Sequence, residues 1–141
     1  IKLDPNITKL TGITDDKINE EGKNIKDVLK EIKPLFKKTD CINAYNMNFD
    51  KNVLLSELYR IHDREFIKII NNLQSECTFK LSKQILYMGS YKMEHVYKEL
   101  FKVDPKQDHR AFNDAILCKD VYYKLKQVYK ENKKKSNYKN K

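Results

Sequence analysis

Glycine and proline are scarce in this chain, three of each in 141 residues, and no linker-like stretch precedes the lysine-rich end. With no internal repeat visible either, a string of flexibly joined modules is excluded. Cysteine is equally rare. Cys41, Cys77 and Cys118 form neither a C-x-x-C pair nor an even-numbered framework, which excludes a disulfide scaffold and predicts three small core residues in a reduced, intracellular setting. No uncharged run approaches the roughly 20 residues of a membrane span, and nothing resembles a signal peptide. An initiator methionine is also missing, and the opening at Ile1 points to a fragment or a processed product.

What remains suits one domain with a core large enough to fold. Hydrophobic residues make up 40% and charged residues 35%, a polar balance but not that of a disordered chain. The net charge of +9 is unevenly placed: residues 130–141 hold six lysines against one Glu, leaving +4 for residues 1–129. The division this predicts is a folded domain over 1–129 and a lysine-rich tail over 130–141. A mildly basic body is compatible with a polyanionic partner without identifying one.

Residues 1–13 read as irregular, punctuated by Pro5 and Gly12. Thr14 can cap a helix over Asp15–Glu20 that Gly22 stops. Ile25, Val28, Leu29 and Ile32 predict a second helix, kinked or ended by Pro34. Cys41–Tyr45 reads as a short buried strand, followed by a helix with an apolar stripe of Val53, Leu54, Leu58 and Ile61. Residues 65–72 add a further turn or two of helix. A weaker strand falls near Ser75–Thr78, a helix at Met93–Phe101, and a long last helix with Ala111, Ala115, Cys118, Tyr122, Leu125 and Tyr129 along one face. Alternation of this kind implies an α/β layer with parallel strands. Two short strands do not make a stable sheet among so many helices.

Two acids stand out by context. Asp50 follows the first strand at the start of a helix, the edge where parallel sheets build their sites; Asp is also common there simply because it favours the positive end of a helix. Asp114 enters the last helix beside Ala115 of the inward face, where a carboxylate needs a positive partner such as a metal ion. His109, five residues earlier, would be about 140° away on one continuous helix. It converges with Asp114 only from a loop, which Pro105 and Asp108 favour. His62 at a helix end and His95 on an amphipathic helix read as structural or surface residues, and Asp63-Arg64-Glu65 as a solvated turn.

Asn46-Met47-Asn48-Phe49-Asp50 after a strand, and then His109-Arg110-Ala111-Phe112-Asn113-Asp114-Ala115 at the head of a long helix, resemble the second and third motifs of DEDDh-type 3′–5′ exonucleases. Thr11-Gly12-Ile13-Thr14 is similar to that family's loop ahead of its first helix, and the likeness keeps its order from Ile1 to Tyr129. Tyr45 stands where many members have His, and Phe112 where Leu is usual. The resemblance implies a ribonuclease H-like α/β fold whose N-terminal strands, one bearing a D-x-E motif, are missing from this chain.

The resemblance also implies roles. Asp114 would ligate metal directly, Asp50 would help hold a pair of divalent ions (Mg²⁺ or Mn²⁺), and His109 would be the general base, an imidazole titrating near working pH. Asn46 would brace the loop that presents Asp50. The expected substrates are 3′ ends of single-stranded DNA or RNA, with a DNA polymerase as a further partner and no membrane. Charge counting agrees that acids are missing: two Mg²⁺ bring four positive charges and two aspartates answer only half. The alternative is a catalytically inactive exonuclease-like module that binds nucleic acid or acts as an adaptor.

Overall fold

The computed structural model describes residues 2–106 and 110–139. The elements run Pro5–Thr11 (α1), Asp15–Glu21 (α2), Ile25–Lys37 (α3), Cys41–Ala44 (β1), Met47–Arg60 (α4), Arg64–Asn72 (α5), Gln74–Cys77 (β2), Thr78–Ile85 (α6), Met93–Phe101 (α7) and Ala111–Lys139 (α8).

The first correction falls at the start. Residues expected to be irregular form α1, with the Asp4 carboxylate accepting from the Asn6 N–H and Pro5 in the first turn, where its missing N–H costs nothing. Gly12 ends it in the left-handed region at φ 67°. Helix α2 begins as expected, with Thr14 Oγ1 accepting from the Lys17 N–H at 3.2 Å. At Gly22 a Cβ would stand 2.2 Å from the Ile18 carbonyl oxygen, so no side chain fits there. Neither helix buries a residue.

Pro34 does not end α3, which continues to Lys37. It lies on the exposed side of the helix, where water can take the hydrogen bond its absent N–H leaves unmade. The strands pair in parallel, Cys41 with Gln74 through Ala44 with Cys77, and α4 and α5 supply the crossover such a pair requires. An α/β layer with parallel pairing is thus observed, with two strands among the described residues.

Two separate cores surround the strands. Leu29 of α3, Leu58 of α4, and Phe66 and Ile70 of α5 form the first, joined by Ile32, Phe36 and Leu54. Val96 of α7 with Val121 and Leu125 of α8 form the second, joined by Leu81 and Ile85 of α6. Val53, expected in the α4 stripe, is instead exposed. Helix α6 escaped the sequence reading because its two fully buried positions, Thr78 and Ser82, are polar, so no apolar stripe announces it.

In α8 the buried face is Leu117, Cys118, Val121 and Leu125. The expected face through Ala111, Ala115, Tyr122 and Tyr129 is turned to one side: Ala111, Ala115 and Tyr129 are exposed. The helix also runs through the expected domain boundary at residue 130 to Lys139. The cysteines divide as well. Cys118 is buried and Cys77 half-buried, but Cys41 is exposed, which corrects its expected place in the core; all three are free thiols. No helix of the described residues is long and apolar enough to cross a membrane.

Candidate active site

Strand β1 bonds to β2 along one edge. A cleft of about 840 Å³ is lined by all four β1 residues, by Asp50, Lys51 and Leu54 of α4, and by Asp114, Cys118 and Tyr122 of α8. The two acids singled out in the sequence, 64 positions apart, therefore meet in one cleft.

Each reaches it from the first turn of a helix, the end where negative charge is favoured. Asp50 is presented by the tight exit from β1: the Asn46 carbonyl accepts from the N–H of Phe49 at 2.9 Å and of Asp50 at 3.2 Å. Asn46 thus braces this turn through its backbone; its side chain makes no cap hydrogen bond. Asp114 is held by its N–H on the Arg110 carbonyl at 2.9 Å. His109, the expected base, lies outside the described residues, as does Asp108 of its loop.

A polar seam fixes the floor. The Asn43 amide of β1 donates to Thr78 Oγ1 at 3.0 Å and to the Glu76 carbonyl at 3.2 Å, and the Cys118 thiol donates to Asn43 Oδ1 at 3.4 Å. This ties β1, β2, α6 and α8 into one block. Burial pushes the Cys118 thiol up, against a smaller downward pull from its bond to Thr78, with the Asp50 charge adding to the rise. It is a poor nucleophile as a result. Burial likewise pushes Tyr45 up to about 12, and its hydroxyl donates to the Tyr91 carbonyl. Beside the cleft, Tyr122 donates to Glu76 Oε2 at 2.7 Å and Lys126 pairs with the same carboxylate at 3.0 Å. These bonds, the tyrosine's first, hold Glu76 below the usual carboxylate range.

Sequence reading missed Asn43, Thr78 and Glu76. The available signal was Asn and Glu inside strands, where such residues are depleted. It also undervalued Asp63-Arg64-Glu65. That segment is an ion-paired helix start: Asp63 accepts from the Phe66 N–H at 2.9 Å, and Lys33 reaches Asp63 at 2.9 Å and Glu65 at 2.7 Å. The other histidines behave as expected of structural or surface residues: His62 sits at φ 58° where α4 ends, and His95 bonds Ser90 at 2.8 Å.

Among the described residues no group of three or more His, Cys, Asp or Glu side chains is placed to hold a metal ion. Asp50 and Asp114 fit as part of a divalent-metal site and not as the whole of one.

The arrangement is an α/β layer with two helix-borne aspartates lining one cleft beside a strand. The profile of the RNase T exonuclease family matches residues 1–122. The chain belongs to that exonuclease family. No curated protein and no solved structure matches it.

Proposed function

We propose that this chain carries half of the catalytic cleft of a 3′–5′ exonuclease with a ribonuclease H-like sheet. The observation that carries the reading is that Asp50 and Asp114 line one cleft with β1, whose second edge has no partner strand among the described residues. A strand of the D-x-E kind, adding to that edge, would bring two further carboxylates between the helix ends that already present two. Divalent ions bound by such a set would activate water and stabilise the leaving oxygen.

The chain's own residues then have separable duties. Asp114 holds a ligand position from the first turn of α8, and Asp50 holds one from α4, placed there by the Asn46 turn. His109 takes the proton of the attacking water, an assignment that rests on the motif resemblance. Substrates are 3′ ends of single-stranded DNA or RNA, released as nucleoside monophosphates; a DNA polymerase is a fitting partner.

The test is digestion of a labelled single strand by full-length protein. Asp114→Asn should abolish it, with little recovery in extra Mn²⁺; Asp50→Asn should cripple it with partial recovery. His109→Ala should keep binding and slow turnover by about 10²–10⁴-fold, with residual activity rising with pH as hydroxide replaces the base. Full activity in Asp114→Asn would overturn the role given to Asp114, and full-length protein that binds strands and never cuts them would replace this reading with that of an inactive adaptor.

A further inference from the structure

One flank of α3 carries Lys26, Lys30, Lys33 and Lys37, at steps of four, three and four; Lys26, Lys30 and Lys37 are exposed and Lys33 is half-buried. At about 100° per residue these fall within an arc of about 60°, and at 1.5 Å rise their charges recur about every 5–6 Å. Leu29, Ile32 and Phe36, which commit the helix to the first core, sit about 60°, 120° and 80° round from Lys26, so the lysine stripe flanks the core face, with Lys26 and Lys30 exposed.

Their chemistry is not that of an ordinary solvated helix. Such a helix places acids four residues from its lysines, whereas Lys26 with Lys30 and Lys33 with Lys37 are like-charged pairs at that spacing, which weakens a helix. Glu65 offsets one pair, meeting Lys33 at 2.7 Å and Lys37 at 2.6 Å, and Asp63 adds to it. In the other pair, no carboxylate among the described residues is within ion-pair distance of Lys26 or Lys30, with Asp27 the nearest in spacing, three residues before Lys30, and none is within that distance of Arg64. Asp27 and Glu31 sit about 100° and 140° round the helix from Lys26, and Glu31 is engaged by Lys23 at 3.5 Å. Lys26, Lys30, His62 and Arg64 border a shallow cavity of about 480 Å³ where α4 turns into α5, with Lys33 and Asp63 at its base. Five cations against two carboxylates leave the patch at +3.

We propose that this face of α3 docks the phosphodiester backbone of a nucleic-acid strand, apart from the cleft that holds Asp50 and Asp114. The cations without a carboxylate partner, Lys26, Lys30 and Arg64, spread along an open cavity, which suits successive phosphates better than a single anion. The choice of nucleic acid over an acidic protein rests on the exonuclease reading. The surface would hold the strand by charge, independent of sequence, while the cleft engages its end.

The experiment measures binding without cleavage. Full-length protein in EDTA is titrated with a fluorescein-labelled single strand of about 20 nucleotides, by anisotropy, across a series of NaCl concentrations. Lys26→Gln/Lys30→Gln should weaken binding at low salt and flatten the log–log salt slope by about 1.4, because each phosphate that a lysine no longer neutralises on a single strand removes about 0.7. Lys98→Gln/Lys102→Gln, on α7 and at its C-cap, where Asp104 and Glu99 already engage the two lysines, should leave the slope unchanged. An unchanged slope in the α3 variant, or an equal loss in the α7 variant, overturns the proposal, as does competition by polyglutamate as effective per charge as by the strand. Cleavage by Asp114→Asn reports on the active cleft alone, so the two readings fail separately.

Discussion

The two cores around the strands are built by different means. The first, between α3, α4 and α5, is closed by aliphatic side chains and one edge-on ring pair, Phe36 with Phe66 at 5.2 Å, and its charges sit at the rim. The second, between α6, α7 and α8, has fully buried hydroxyls, Thr78 and Ser82, beside Val96, Val121 and Leu125, and every buried side-chain polar atom among the described residues has a partner. An apolar core tolerates any packing that fills it, whereas a polar seam is satisfied in one register only. The cleft takes its floor from the seam and Asp50 from the apolar side, so position comes from one half and stability from the other.

The largest effect expected is Phe66→Ala, which empties a fully buried site in the first core and should cost about 3–5 kcal/mol in urea unfolding. A single transition should persist, since both cores share one sheet; two transitions would show that the halves are independent. Next is Thr78→Val, which keeps shape and removes the hydroxyl that serves Asn43 and Cys118. It should cost about 1–3 kcal/mol, and also disturb the cleft in nuclease assays, which Phe66→Ala followed at matched folded fraction should not. Equal effects of the two on the cleft would erase the contrast.

The smallest effect lies at the rim. Bonds from Lys33 first and the Phe66 N–H second hold Asp63 below its usual range, and Lys33 and Lys37 hold the exposed Glu65 at about 2. Folded values below unfolded ones mean stability that is present above about pH 4–5 and lost as pH falls toward 2. Lys33→Met should therefore lower the melting temperature slightly near neutrality and leave it unchanged near pH 2, flattening the profile between them, with the effect kept small because Glu65 and Lys37 are open to water and salt. A parallel pH profile in the variant would show that the pairs carry no net stability.

Much of this was legible in advance, and the exceptions share a cause. β1, α4, α7 and the start of α2 follow from apolar spacing and caps, and both aspartates were singled out because strand-to-helix turns and helix starts have local signatures. α1 was missed although Asp4, Pro5 and Gly12 spell a capped start and stop, because its apolar residues bury nothing. α6 was missed because polar residues occupy its buried face, and the turn of the α8 face because its side chains answer both to a core and to a cleft. Local chemistry is written along the chain; partnership between distant segments is not.

The parallel pairing of β1 with β2 has a consequence in time. Every bridge of that ladder joins residues 33 positions apart, as between Asn43 and Glu76, so no hairpin can start it and the loss of chain freedom on closing the loop precedes any bond. Helices α4 and α5, local and able to pack on each other at once, are the natural nucleus, and the ladder zips only after their collapse brings its ends together. The floor of the cleft is then among the last parts of the molecule to form, and refolding kinetics should show nuclease competence lagging behind helix content.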